Sequence, residues 1–313
     1  LILTLLCYVS SLLYRYFTEG REKLILKRAF ETYVPPDVVQ QVLDNSDALS
    51  LGGDKRFLTV LFSDIRGFTT YSEVLDPQEL VRLLNFYLSA MSDVIFNNRG
   101  TIDKFIGDAI MAIFGAPVPQ PDSAAQACRT ALDMLRELEK VNERQRTEGH
   151  PPLSIGIGIN SGEMTVGNIG SNRRFDYTVI GDAVNLGSRL EGLNKYFKTT
   201  ILVSESTKDK CSDAEFLFRE IAPVQVKGKD RPVMVYELLT EQKAAASMTA
   251  WLEPYSAGLS LYKEKRFAEA AACFQQSLAA NPNDGPSAYY LALCHDLKER
   301  PEQFNAVVVM DAK

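Results

Sequence analysis

The order of its short apolar runs and amphipathic stretches predicts an α+β fold, with helices packed on one face of a mainly antiparallel sheet. Three observations carry that expectation. Phe57 to Phe62 is a continuous apolar, β-branched run ending in Ser63-Asp64, which reads as a buried strand. The runs Thr101–Ile106 and Ala109–Phe114 flank Gly107-Asp108, a hairpin signal with Asp108 at the tip. Apolar residues recur at helical spacing over Pro77–Asn97 and again over Asp122–Glu148. A strand, a helix, a hairpin, a helix and further strands, in that order, make an α+β sandwich.

The chain has 313 residues, enough for one large domain and a smaller one. A net charge of −6 argues against a general nucleic-acid role, so no nucleic-acid partner is expected. Cys7, Cys128, Cys211, Cys273 and Cys294 are scattered, with no zinc-like or redox spacing, and read as reduced thiols. The only histidines are His150 and His295, which excludes a histidine-rich zinc site and leaves oxygen ligands for any metal.

In chain order, Leu1 to Phe17 is apolar and aromatic with Arg15 its only charge, and reads as the end of a transmembrane helix. Arg15, Arg21, Lys23, Lys27 and Arg28 then place the downstream part on the cytoplasmic side of a cell membrane. A buried amphipathic helix is the alternative. Residues 18–50 read as a juxtamembrane linker helix, interrupted by Pro35-Pro36. Gly52-Gly53-Asp54 is expected as a loop ahead of the first strand. After the second helix, Leu153–Asn160 and Glu163–Ile169 read as a strand pair around Ser161-Gly162. Gly156, Gly158 and Gly162 do not form a dinucleotide fingerprint, because no helix follows directly, and no Walker A motif occurs. A strand over Phe175–Ile180 leads into a helix from Ala183 to about Tyr196, on which Asn185 and Arg189 share one face. Val226-Lys-Gly-Lys229 precedes the last strand, Val233–Leu238.

Residues 241–313 are rich in Ala, Leu and Tyr. Gly258, Leu261, Phe267, Ala270, Phe274 and Pro282 fall at the spacing of one tetratricopeptide repeat, and a second begins near Ala288 and decays. So short an array buries no solenoid core alone; it packs on the larger domain, on a protein partner, or on repeats beyond this chain. An ordinary α-helical hairpin is the alternative.

Asp64 at a strand end and Asp108 on a tight turn would each, alone, be an N-cap or a turn residue. Together in one small domain they suit a hard divalent cation. At this point the sequence resembles the class III nucleotidyl cyclase catalytic domain, through Phe62-Ser-Asp-Ile-Arg-Gly-Phe-Thr69, Asp103-Lys-Phe-Ile-Gly-Asp108 and Tyr177-Thr-Val-Ile-Gly-Asp-Ala-Val-Asn-Leu-Gly-Ser-Arg-Leu-Glu191. The resemblance covers residues 51–240 and implies a ferredoxin-like (βαββαβ) domain that converts ATP into 3′,5′-cyclic AMP and pyrophosphate.

The resemblance also implies roles for individual residues. Two Mg²⁺ or Mn²⁺ ions would be held by Asp64, Asp108 and the Ile65 carbonyl, and phosphate by the amides of Gly67, Phe68 and Thr69. Asn185 would position the ribose and Arg189 neutralise charge on the α-phosphoryl group. Arg173 and Lys227 match positions that hold the terminal phosphates, and Lys104 and Thr178 those that read the base. A homodimer would complete two shared sites. Lys104 offers only donors, suiting the adenine N1 acceptor, whereas a guanine site needs an acceptor there. A guanylate cyclase, or a degenerate cyclase domain that only senses nucleotide, are the alternatives. Thr178 stands where many relatives carry Asp, in a subgroup associated with bicarbonate responsiveness.

Overall fold

The fold is built around β1, Gly52–Ile65 in the computed structural model, which describes residues 52–171, 174–226 and 231–310. This strand pairs antiparallel with β3 (Ala109–Phe114) on one side and β4 (Ile155–Ser171) on the other. Side chains alternate along a strand, so Leu58, Val60 and Phe62 enter one core and Leu61 and Ile65 another. Both faces are covered, which is why the segment reads as an unbroken apolar run rather than an alternating one.

Against the Leu61 face pack α2 (Pro77–Asn97), through Leu83, Tyr87, Met91 and Ile95, and α3 (Ser123–Thr147). The short α1 (Phe68–Val74) leads into α2, whose first turn is capped by the Asp76 carboxylate accepting from the Gln78 amide. Against the other face lie β5 (Arg174–Ile180), paired with β4, and α4 (Asp182–Phe197). The expectation of helices on one face only is therefore corrected. Helix α4 comes so near β4 that a Cβ on Gly158 would stand 2.2 Å from the Glu191 nitrogen. Only glycine there admits this approach, which seats Leu186, Leu190 and Leu193. Each such fully buried leucine contributes about 1.5–3 kcal/mol.

The hairpin of β2 (Thr101–Ile106) and β3 turns through Gly107 and Asp108, with Gly107 at φ 67°. Beyond α4 come β6 (Ile201–Ser204), the one-turn α5 (Glu205–Lys208), β7 (Phe216–Val226) and β8 (Val233–Glu241). With β9 (Val308–Met310) at its edge the sheet runs β2-β3-β1-β4-β6-β8-β7-β9.

Three further expectations are corrected. Gly52-Gly53-Asp54 is not a loop but the start of β1, paired with Asn168, Gly167 and Val166. The two strands expected around Ser161-Gly162 are one 17-residue strand, because β1 pairs with it continuously from Ile155 to Asn168. Among the described residues no helix is long and apolar enough to cross a membrane, which overturns the membrane location. Segments 1–17 and 18–50, on which that location and the linker helix were placed, lie outside the described residues.

The C-terminal helices α6 (Thr249–Lys263), α7 (Phe267–Ala280) and α8 (Gly285–Glu299) pack on the sheet domain. Tyr255 and Tyr290 donate their hydroxyls to the Glu220 and Ile221 carbonyls of β7, at 2.8 and 2.6 Å. Buried Arg219 of β7 lies 2.6 Å from Glu237 of β8 and 2.7 Å from Asp284, whose other oxygen caps α8 at the Ser287 amide. Trp251 and Tyr255 cover the guanidinium with their rings. Tyr289 packs edge-on against Tyr196 and Phe197, so α8 abuts the end of α4.

Candidate active site

Strand β1 ends as it delivers Asp64, and the β2–β3 turn delivers Asp108 beside it. The Ile65 amide donates to Asp108 Oδ2 at 3.2 Å, which ties the turn to the strand end. Asp108's carboxyl is raised to about 6, first by burial and then by its hydrogen bond with Asp64 and by that carboxylate's charge. The Lys195 ammonium lies 3.7 Å from Asp64. Among the described residues no group of three or more His, Cys, Asp or Glu assembles as a metal cage. Asp64 and Asp108 instead bring together carboxylate oxygens alone, the donor type that suits a hard divalent cation. The donors fit.

Next along the chain, Gly67 caps α1 in the left-handed conformation, φ 68°. Thr70 and Tyr71 are the first amides to bond back to the Gly67 carbonyl, so those of Phe68 and Thr69 precede the helical ladder. Arg66 is pinned by Glu191 of α4 at 2.9 Å, both side chains largely buried. Burial in turn raises the Glu191 carboxyl above its ordinary value.

A second cluster forms where β2 meets β5. Lys104 donates to Thr178 Oγ1 at 3.2 Å, and Thr178 donates to Asp103 Oδ2 at 2.5 Å. The two residues singled out as base readers are therefore in contact, although 74 positions separate them.

Helix α4 presents two faces. Glu191 and Lys195 look toward Arg66 and Asp64, whereas Asn185 and Arg189 are exposed. At 100° per residue Arg189 stands about 200° around the helix from Glu191, so these two side chains leave α4 on opposite sides. Arg173 and Lys227 lie outside the described residues. Sequence reasoning gave no role to Arg66, Glu191, Lys195 or Asp103. All but Lys195 fall inside the quoted motifs, and no spacing rule pairs residues 125 apart.

A sheet carrying a two-carboxylate centre, an amide-rich turn and a lysine–threonine pair defines a class of nucleotide-handling domain. Residues 54–240 match the model of the adenylate and guanylate cyclase catalytic domain, and the chain belongs to that family. It is 39% identical over 218 residues to an adenylate cyclase of Anabaena cylindrica, covering 67% of this chain and 42% of the relative. The crystal structure of the adenylyl cyclase CyaB from P. aeruginosa is 40% identical with a TM-score of 0.57, covering 62% of this chain and 98% of that one. The crystal structure of the guanylyl cyclase Cya2 is 41% identical with a TM-score of 0.56, covering 62% and 97%. The chain spans well under half the length of the curated adenylate cyclases it matches, 33% for that of Rhizobium meliloti (strain 1021), 42% for that of Anabaena and 13% for the terminal-differentiation-specific one of Dictyostelium discoideum.

Proposed function

We propose that the domain is an adenylate cyclase that converts ATP into 3′,5′-cyclic AMP and pyrophosphate, a phosphorus–oxygen lyase working in signalling. The observation that carries this reading is the Lys104–Thr178 contact: a donor-only ammonium beside a hydroxyl, on a cyclase domain. The N1 acceptor and 6-amino donor of adenine complement that pair. Guanine, with N1–H and O6, needs an acceptor where Lys104 stands. A non-catalytic nucleotide sensor is disfavoured, because Asp64, Asp108, Asn185 and Arg189 are all present.

Two Mg²⁺ or Mn²⁺ ions held by Asp64, Asp108 and the Ile65 carbonyl would lower the pKa of the 3′-hydroxyl and offset charge on the β- and γ-phosphates. The chain's own groups do the rest. Amides of Gly67, Phe68 and Thr69 receive phosphate oxygens, and Arg66, fixed by Glu191, holds that turn in place. Asn185 orients the ribose, and Arg189 neutralises charge developing on the α-phosphoryl group as the 3′-oxygen attacks in line. Arg173 and Lys227 are assigned to the terminal phosphates.

Each site takes its carboxylates from one protomer and its Asn and Arg from a second copy, a reading supported by Arg189 leaving α4 on the side opposite Glu191, which contacts Arg66 two residues beyond Asp64. The assembly is a symmetric homodimer with two equivalent sites. The strand order β2-β3-β1-β4 around α2 and α3 supports a ferredoxin-like (βαββαβ) core within a catalytic domain of residues 51–240. The segment 241–313 is assigned as tetratricopeptide-like, on the packing of α6 against α7 where Gly258 meets Phe274, and offers a protein-partner surface. The test is direct: incubate the purified chain with ATP or GTP and Mg²⁺ or Mn²⁺, and identify the product by mass spectrometry. Cyclic AMP is expected; cyclic GMP as the main product, or no turnover, overturns the reading.

A further inference from the structure

A threonine hydroxyl does not by itself tell adenine from guanine. It can accept from the 6-amino group of one or donate to the O6 of the other. Something must commit its proton. Asp103 occupies the point where the β2–β3 register shifts, between Ile102 paired with Ala112 and Lys104 paired with Met111. Such a bulge re-aims side chains, and here it lets Asp103 and its neighbour Lys104 both reach Thr178 on β5, where strict alternation would send them to opposite faces. The Asp103 carboxylate has no solvent exposure. Its Oδ2 accepts from the Thr178 hydroxyl at 2.5 Å and from the Val179 amide at 3.4 Å. Its Oδ1 makes no hydrogen bond and lies 3.0 Å from the Lys104 ammonium.

Counting valences shows the consequence. The single hydrogen of Thr178 is given to Asp103, since a carboxylate only accepts. One of its lone pairs takes a hydrogen from Lys104, and the group that remains for a ligand is an acceptor. Lys104, held against Asp103 and Thr178, has only hydrogens left to offer. The pair thus presents one acceptor and one donor, the complement of the adenine 6-amino group and N1. It opposes guanine at both positions.

We infer that Asp103 is a specificity-determining positioning residue, which fixes the hydrogen-bond polarity of Thr178 and Lys104 and so enforces adenine over guanine. This rests on the adenylate cyclase reading above and goes beyond it, since it assigns discrimination to a buried group that touches no nucleotide.

The experiment compares kcat/KM for ATP and GTP in wild type and Asp103→Ala, together with binding of non-cyclisable ATP and GTP analogues. Freeing the hydroxyl rotor should lower the ATP-over-GTP ratio roughly ten- to a hundredfold in both assays, the size expected when one buried hydrogen bond of about 1–3 kcal/mol stops discriminating. A variant that loses both nucleotides in equal proportion, with the ratio unchanged, gives Asp103 a structural role only and overturns the inference. Wild type that makes cyclic AMP while the Asp103→Ala ratio stays constant sinks this inference alone. Wild type without adenine preference in either assay sinks it together with the adenylate reading. Should Asp103→Ala not fold, Thr178→Asn decides. With Asp103 taking the amide hydrogens its carbonyl faces the base, and adenine preference should persist; loss of that preference overturns the inference.

Discussion

Asp103 and Asp108 stand five residues apart on one hairpin and are held in opposite ways. Asp103 has its partners inside the chain: a hydroxyl, an amide and an ammonium surround it. Asp108 is partly buried beside another carboxylate, and burial first, then the Asp64 neighbour, pushes its carboxyl up to about 6. A buried carboxylate with internal donors has its charge met by the chain itself. A carboxylate beside a second carboxylate is held at the cost of its own ionisation. In the proposed dimer the contrast extends further, since the Asp108 end of the hairpin serves one site and the Lys104 end the other.

The largest effect should come from the end that lacks charge. Asp64→Ala or Asp108→Ala should abolish cyclisation while leaving the thermal unfolding midpoint near wild type, because each removes a metal ligand and no core residue. Circular dichroism and product assays check it; retention of more than a few per cent of activity with normal metal dependence would count against it. The division of labour between the hairpin's ends is sharpened by mixing two inactive chains, Asp108→Ala and Arg189→Ala. In a random mixture half the dimers are mixed and each has one intact site, so about a quarter of wild-type activity should return. No recovery despite proven mixed dimers would place each complete site within one chain.

A smaller change is expected at the base-reading end. Lys104→Glu with Thr178→Cys should lower ATP specificity roughly ten- to a hundredfold, since an unpaired buried group costs about 1–3 kcal/mol. An unchanged ATP/GTP ratio of kcat/KM would show that these two residues do not read the base.

The smallest effect is on stability. Asp108 has a folded pKa above its ordinary value, so between about pH 4 and 6 the metal-free folded chain binds a proton the unfolded chain has released. That contribution to stability is present at low pH and is lost as pH rises through 6. The metal-free midpoint of wild type should therefore fall more from pH 5 to 7 than that of Asp108→Asn. Equal pH dependence of the two would show that folding does not raise the Asp108 carboxyl.

Much of this was legible in the residues. The limits of α2 and the hairpin, and the helix after Gly181-Asp182, follow from apolar periodicity and turn chemistry, which are local. Asp64, Asp108, Lys104, Thr178, Asn185 and Arg189 all stand in short motifs. Local rules failed where a partner was distant. Gly52-Gly53-Asp54 and Ser161-Gly162 look like breaks, yet β1 and β4 supply each other's hydrogen bonds along their whole length and carry both segments as strand.

What the sequence by itself determined, then, was the helices of the sheet domain, the β2–β3 hairpin and the reactive residue types, because helix period, strand runs and turn glycines act over a few residues. Tertiary structure alone decided which charges meet. It set Glu191 against Arg66, Lys195 beside Asp64, Thr178 on Asp103, and α8 against the end of α4. Coulomb and hydrogen-bond energies depend on distance in space, and only the packing of α4 over β1 and β4 and the bulge at Asp103 fix those distances.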